Sequence, residues 1–114
     1  MDQLTGKPWG SERLLEHTDK YALKQIFIRK GYRTSLQKHV QKCETNYIKS
    51  GYIRLELDNS FELLEPGKHF TVHPGQVHRI TALDDTIIIE CSTPELDDVI
   101  RLEDDYGRQE STEV

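Results

Sequence analysis

The chain has 114 residues, of which 35% are hydrophobic and 31% are charged, and its formal net charge is −5 at pH 7. This length suits a single domain, predicted over residues 1–108, followed by a polar tail at residues 109–114 that is expected to fray. The negative charge argues against nucleic-acid binding, which requires clustered Lys and Arg. No apolar run reaches the length of a membrane span and no secretory signal is evident, so a cytoplasmic location is expected. Two cysteines, Cys43 and Cys91, are too few for a disulfide scaffold.

Short segments rich in β-branched and aromatic residues alternate with turn sequences along the chain. They predict strands at residues 20–30, 45–50, 52–57, 61–64, 69–72, 77–83 and 86–92. Gly, Pro, Asn and Asp lie between these segments, which is typical of an all-β sandwich or barrel.

Two segments near the end of this series carry more specific signals. The run Ile87, Ile88 and Ile89 is apolar at consecutive positions, which predicts a strand buried on both faces. Residues 94–99 are predicted to form one turn of helix, because Thr93 is a suitable N-cap and Pro94 suits the first helical position.

Four polar side chains have a spacing that predicts a metal site: Gln37, His39, Glu44 and His78. Gln37 and His39 are two residues apart and therefore share one face of a strand. Glu44 follows across a turn, and His78 must converge from another strand. Two nitrogen and two oxygen ligands can hold a divalent ion and leave positions open for substrate. His17, His69 and His73 are interpreted as packed or solvated, with His73 near enough to support the ligands.

The glycines around these residues complete two patterns that resemble the motifs of the cupin superfamily. The first pattern reads Gly31-x5-Gln37-x-His39-x4-Glu44-x6-Gly51, with Gln37 in the place of the usual first histidine. The second reads Gly67-x5-His73-x-Gly75-x2-His78, with the proline moved to Pro74 and Ala82 where asparagine is usual. The resemblance implies a small antiparallel jelly-roll β-barrel with one divalent metal ion inside. Zn²⁺ is the expected ion, with Mn, Fe, Co and Ni as alternatives.

Four segments narrow the resemblance to type II mannose-6-phosphate isomerases, in which a cupin domain often follows a mannose-1-phosphate guanylyltransferase domain. They are residues 7–10, 35–39, 77–79 and 98–108, and the last is the most specific. Glutamine at the position of Gln37 is also usual in that subfamily. The chain departs from it at Lys42, where Arg is common, and at Tyr47, where Trp is common.

The resemblance implies an aldose–ketose isomerase that interconverts mannose 6-phosphate and fructose 6-phosphate. The candidate catalytic residues are Arg79, Arg101, Tyr47 and Lys42, and the candidate substrate-binding residues are Lys7, Trp9 and Arg108. Trp9 is expected to pack over the mouth of the barrel. The catalytic base stays open among Tyr47, Glu56, His73 and Asp105, and Lys38 is interpreted as a solvated charge.

Two other functions are compatible with the same residues, and the departures at Lys42 and Tyr47 keep them open. One is a metal-binding cupin that acts on another small molecule, and the other is a non-catalytic sugar-binding accessory protein. The expected partners are a sugar-phosphate substrate and a second copy of the chain, because so polar a chain gains by burying an apolar sheet face in a homodimer. Nucleic acids and membranes are not expected partners.

Overall fold

The computed structural model describes residues 3–108, and within that range it contains strands and no helix. The strands are β1 (Gln3–Lys7), β2 (Gly10–His17), β3 (Ala22–Ile28), β4 (Leu36–Lys38), β5 (Glu44–Ser50), β6 (Ile53–Leu57), β7 (Ser60–Leu64), β8 (His69–Val72), β9 (His78–Ala82), β10 (Thr86–Ser92) and β11 (Ile100–Glu103). The predicted tail at residues 109–114 lies outside the described residues. A membrane-crossing helix is accordingly not found in residues 3–108.

The strands form two antiparallel sheets that pack face to face. The six-stranded sheet has the order β1-β2-β3-β10-β5-β8, and the five-stranded sheet has the order β11-β4-β9-β6-β7. Neighbours in these orders are mostly distant in sequence, as in a jelly roll. The prediction of a small, single-domain, all-β jelly roll is therefore confirmed, although the two sheets form a sandwich and do not close into one barrel.

The hydrophobic core fills one end of the space between the sheets. Its buried side chains come from both layers: Trp9, Ile26, Ile28, Ile48, Ile53, Leu55, Leu64, Phe70, Val72, Ile80, Ala82 and Ile88. In β10, Ile88 points inward and is fully buried, whereas Ile87 and Ile89 are half-buried on the outer face. The prediction that this strand is buried on both faces therefore holds for the inner face alone.

The sequence-based strands miss four elements: β1, β2, β4 and β11. The predicted helical turn at residues 94–99 is wrong, because this segment forms an extended connection with a tight turn in which the Val99 amide donates to the Asp97 carbonyl at 3.0 Å. Contacts with the loop before β5 replace helical hydrogen bonds there. Tertiary contacts thus override a local capping signal.

Two motif glycines are required by the backbone conformation at their positions. Gly51 has φ +98°, and a Cβ atom there would lie 2.4 Å from both the Asp85 carbonyl oxygen and the Thr86 hydroxyl. Gly75 has φ +85° and donates its amide N–H to the His39 carbonyl at 2.7 Å. Glycine adopts such φ values without a steric cost. The second glycine thereby links the two sequence motifs directly.

Candidate metal centre

Two strands of the five-stranded sheet and one strand of the opposite sheet bring the four predicted ligands together. Gln37 in β4 pairs directly with His78, the first residue of β9. His39 follows β4, and Glu44 begins β5. His39, Glu44 and His78 are all buried, and their ligand atoms lie within 4.8 Å of one another. The folded chain therefore holds three potential metal ligands in one compact group.

Hydrogen bonds fix both histidine rings with the Nε2 atom facing the group. The Nδ1–H of His39 donates to the Asp98 carbonyl at 2.5 Å, and the Nδ1–H of His78 donates to the Gln76 carbonyl at 3.0 Å. Each Nε2 atom therefore presents a lone pair, as metal-binding histidines do.

The contact between His39 and Glu44 tests whether these residues fit a metal ion. His39 Nε2 lies 3.1 Å from Glu44 Oε1. No described residue offers this buried nitrogen a hydrogen-bond partner. A lone pair facing a carboxylate oxygen is unfavourable unless a cation lies between or beside them. The group is thus suited to a bound cation.

Gln37 lies at the edge of this group. Its Nε2 atom is 3.4 Å from His78 Nε2, and its Oε1 atom accepts a hydrogen bond from the Ser35 hydroxyl at 2.7 Å. A 180° rotation of the amide would direct Oε1 toward His78, and the Ser35 hydroxyl would then accept from the amide nitrogen. The amide oxygen of Gln37 is therefore available as a fourth ligand after that rotation.

The protonation states of the group match those of metal ligands. Burial alone would raise the pKa of Glu44, but its close contact with His39 and the charge of Lys42 outweigh the effect of burial and hold this pKa well below its usual range. Burial lowers the pKa of His78. The Asn46 amide donates to Glu44 Oε2 at 2.9 Å. An ionised carboxylate beside a neutral imidazole binds a divalent cation without first releasing protons.

The ligand group lies in the wall of a large cavity between the two sheets. The cavity has a volume of about 760 Å³, which is in the range of small-molecule sites. Five of the predicted catalytic and substrate-binding residues line it: Lys7, Trp9, Lys42, Arg101 and Arg108. Trp9 is 5% exposed and belongs to the core, so it forms part of the inner wall and does not cover a mouth as predicted.

Two predicted catalytic residues do not reach the cavity. Tyr47 alternates with the inward-facing Asn46 and Ile48 on β5, and it is 47% exposed on the outer face. Arg79 is buried, and its guanidinium donates to the carbonyls of Thr34 and Glu103 at 3.1 and 3.2 Å. A catalytic role at this site therefore does not fit the position of either residue.

The candidates for the catalytic base also lie elsewhere. Glu56 pairs with Arg54 at 3.4 Å, and Asp105 forms an exposed ion pair with Arg33 at 2.7 Å. His73 is exposed, with its Nδ1 atom 3.7 Å from Cys43 Sγ. Like Tyr47, these three side chains are outside the described cavity lining.

The sequence reasoning missed a residue that supports the ligands. The Asp98 carboxylate accepts hydrogen bonds from the backbone amides of Val40, Gln41 and Lys42 at 3.0, 2.7 and 2.9 Å. Its own carbonyl holds the ring of His39. Asp98 begins the segment 98–108 that carries the most specific resemblance, which was the available signal.

Three charged residues in the cavity were missed as well. Glu12, Lys24 and Glu90 line it, and Glu90 directly follows the isoleucine run. Glu90 Oε2 lies 3.2 Å from Lys42 Nζ, and Lys24 Nζ lies 3.1 Å from Glu12 Oε1. Only the cross-strand register brings these residues together, so no local pattern reveals them.

Comparison with known proteins agrees with this architecture. The chain is similar to a mannose-1-phosphate guanylyltransferase of Escherichia coli, with 28% identity over 107 residues that cover 90% of this chain and 22% of the relative. Among solved structures, KdgF from Halomonas sp. aligns with a TM-score of 0.78 and 21% identity over 83% of this chain and 88% of that one. An RmlC-like cupin from Shewanella frigidimarina aligns with a TM-score of 0.77 and 18% identity, over 84% and 86% of the two chains.

The chain spans about a fifth of the length of the guanylyltransferase it matches. The structural alignments show a shared cupin fold. Residues 2–104 match the family described as Mannose-6-phosphate isomerase C-terminal, so the chain belongs to that family.

Proposed function

We propose that the chain is a metal-dependent aldose–ketose isomerase that interconverts mannose 6-phosphate and fructose 6-phosphate. The observation that carries this proposal is the buried group of His39, Glu44 and His78, which lies in the wall of a cavity that is also lined by lysine and arginine side chains. The family match and the guanylyltransferase relatives support a mannose phosphate as the ligand.

The side chains of His39, Glu44 and His78 would hold the ion, with the Gln37 amide oxygen as a fourth ligand. When bound, a divalent ion supplies a Lewis acid that polarises the carbonyl and hydroxyl oxygens of an open-chain sugar. Zn²⁺ is proposed, and Mn, Fe, Co or Ni are alternatives because the set of nitrogen and oxygen donors suits each of them.

Positively charged side chains line the more exposed part of the cavity and are suited to binding a phosphate group. Lys7, Arg101 and Arg108 are half-buried there, beside the exposed Gln3 and Thr5. Arginine binds phosphate with a planar fork, whereas lysine acts as a point charge. We assign the phosphate to this part of the cavity, with the reacting carbons toward the metal ligands.

Lys42 is suited to stabilising negative charge and is unsuited to proton abstraction. Burial alone would lower its pKa, but the carboxylates of Glu90 and Glu44 outweigh it and raise the pKa, so the ammonium stays protonated. Glu12 and Glu90 line the cavity and do not belong to the ligand group. Of the two, Glu90 lies nearer the metal ligands, because the Lys42 Nζ atom contacts both Glu90 at 3.2 Å and Glu44 at 3.4 Å, and we assign proton transfer between C1 and C2 to Glu90.

The test is a coupled assay of fructose 6-phosphate formation with protein that has been stripped of metal and reloaded with each candidate ion. We expect activity only with metal. His78→Ala should lower kcat/KM at least 100-fold, because loss of a ligand exceeds the effect of losing its supporting hydrogen bond. His69→Ala is the matched control, since His69 is exposed on β8. A metal-loaded protein that is inert on hexose and pentose phosphates would refute the proposal.

One observation favours a second function, that of a non-catalytic sugar-binding accessory protein. Lys42 replaces the arginine that is common in the resembling isomerases, and its ammonium is held between Glu44 at 3.4 Å and Glu90 at 3.2 Å. Saturable sugar binding without turnover, by a protein that stays folded after chelation, would identify this function.

We also propose that two copies associate through the outer face of the six-stranded sheet. Phe27, Ile87 and Ile89 are half-buried on this face, and Tyr47 is 47% exposed beside Ile89. Covering these side chains with a second copy removes apolar area from water.

A further inference from the structure

A row of buried and half-buried charged side chains crosses the inner face of the six-stranded sheet beside the metal ligands. Glu12 comes from β2, Lys24 from β3 and Glu90 from β10, and Lys42 extends from the loop before β5. Lys24 and Glu90 are direct cross-strand partners, and Glu90 also pairs with Asn46. We call Glu12, Lys24, Glu90 and Lys42 the charged wall.

The residues of the charged wall have low solvent exposure for charged side chains. Glu90 and Lys42 are each 5% exposed, and the side chains of Lys24 and Glu12 are 12% and 21% exposed. On the same inner face, the apolar residues Ile28, Ile48 and Ile88 belong to the hydrophobic core. Ion pairs in such a position contribute no more to stability than well-packed apolar residues would. Stability alone therefore does not account for the charged wall.

The pattern of signs in the charged wall indicates which ligand it suits. Two carboxylates alternate with two ammonium groups, so the four side chains carry no net charge. A phosphate dianion would gain from the ammonium groups and lose against the carboxylates. A hydroxyl group, in contrast, donates to a carboxylate and accepts from an ammonium. Consecutive hydroxyls along a carbon chain can make both kinds of bond with neighbouring wall residues.

We propose that the charged wall is a binding subsite for the hydroxyl groups of a polyhydroxylated ligand, and that it positions the carbon chain beside His39, Glu44 and His78. This inference rests on the proposed function for its ligand class, because the sugar phosphate supplies the hydroxyls. The phosphate lies at Lys7, Arg101 and Arg108, and the hydroxyls lie along Glu12, Lys24 and Glu90. The charged wall thus selects ligands by the number of their hydroxyl groups. Lys7, Arg101 and Arg108 bind the phosphate group and do not distinguish ligands in this way.

The test measures binding of a hexitol 6-phosphate to the Zn²⁺-loaded full chain by isothermal titration calorimetry. This probe carries the hydroxyls and the phosphate but has no carbonyl, so it binds without reacting. Inorganic phosphate is the second probe and reports on the cations alone. We expect the hexitol phosphate to bind at least tenfold more tightly than inorganic phosphate, since several hydrogen bonds to charged groups are added.

Glu12→Gln is the main variant, because Glu12 is the most accessible residue of the charged wall and does not contact the ligand group. We expect its Kd for the hexitol phosphate to rise about tenfold, with the Kd for inorganic phosphate unchanged within a factor of two. Glu90→Gln is the second variant and should show the same selectivity if it keeps the wild-type melting profile. Glu65→Gln, at an exposed loop position, is the matched charge control.

The outcomes separate this inference from the proposed function. A wild-type protein that binds the hexitol phosphate no more tightly than inorganic phosphate overturns the inference, as does Glu12→Gln binding that equals Glu65→Gln binding. Both results are compatible with an active isomerase. Conversely, selective weakening by Glu12→Gln in a protein that turns over no sugar phosphate supports the charged wall and refutes the isomerase.

Discussion

Replacing Asp98 with alanine is the sharpest test of how the candidate metal centre is held in place. The Asp98 side chain accepts three backbone hydrogen bonds, from residues 40–42, and its carbonyl accepts the Nδ1–H of His39. The substitution removes the three side-chain bonds and leaves the carbonyl in the chain. The loop that joins His39 to Glu44 then keeps its two hydrogen bonds between Cys43 and Thr93 but loses the three that anchor residues 40–42 to Asp98.

The magnitude follows from these bonds. Each is worth about 1 kcal/mol net, and Asp98 is only half-buried, so water replaces part of the loss. We expect Asp98→Ala to lower the free energy of unfolding by about 1.5–3 kcal/mol. In a chain of this size that lowers the melting temperature by roughly 10 °C. The Asp98 carbonyl, which accepts the hydrogen bond from the His39 ring, becomes less well positioned. Metal affinity should therefore fall about 10–100-fold.

Metal affinity is measured by competition with a chromophoric chelator, at a temperature where every variant is folded. Asp97→Ala is the matched control, because it removes a neighbouring exposed carboxylate of the same charge. Asp98→Asn should lie between wild type and Asp98→Ala, since one acceptor oxygen remains. If Asp98→Ala binds metal as tightly as Asp97→Ala, then Asp98 stabilises the fold without positioning the ligands, and the reasoning is refuted.

Three further predictions concern pH, the backbone and assembly. The hydrogen bond from Arg108 holds the pKa of Asp104 below its ordinary value of 3.8 despite burial. The ionised Asp104 carboxylate therefore stabilises the fold at pH values above 3.8, and this contribution is lost as the pH falls through the lowered pKa. The melting temperatures of wild type and Asp104→Asn should therefore differ at pH 5–7 and converge in more acidic solution; a constant difference would contradict this. Gly51→Ala should cost roughly 2–4 kcal/mol in urea unfolding, from its positive φ and the clash at 2.4 Å, whereas Gly67→Ala has a similar φ with no described atom within 4 Å and should cost about 1–2 kcal/mol. Ile89→Lys should convert the proposed dimer to a monomer in light scattering, and a wild-type monomer would show that the outer face does not self-associate.

Local sequence patterns predict the central strands well, because each of these strands has a β-rich composition and a clear turn at its end. The predicted strands at residues 69–72 and 86–92 coincide with β8 and β10. In contrast, β2 contains Glu12, Leu14 and Glu16 in a stretch without β-branched residues, and its strand conformation depends on pairing with β3. β4 has three residues and is held by its partners β9 and β11. The strand conformation of β2 and β4 therefore depends on pairing with distant segments and cannot be predicted from local sequence.

The candidate site was predictable to the extent that spacing encodes it. Motif spacing identified Gln37, His39, Glu44 and His78, because a strand and a turn fix which of these side chains share a face. The charged cavity residues were not predicted because only the pairing register of the strands brings them together. Glu90 meets Lys24 across two strands that are about sixty residues apart in sequence, and the preceding isoleucines conceal it in an apolar run. The wrong assignment of Tyr47 has a simpler cause, since its alternation with Glu44 already directs it to the outer face.

The specificity of the closing segment has a physical explanation in this structure. Residues 98–108 supply one side of the cavity, with Asp98 supporting His39 and with Arg101 and Arg108 in the lining. The same segment is fixed to the opposite side of its sheet, where the Arg79 guanidinium donates to the Glu103 carbonyl. Arg79 therefore acts on the site indirectly, by holding the segment that carries the cavity cations. A residue that lies within a family-like motif can thus contact a segment that lines the site while its own side chain faces away from the cavity.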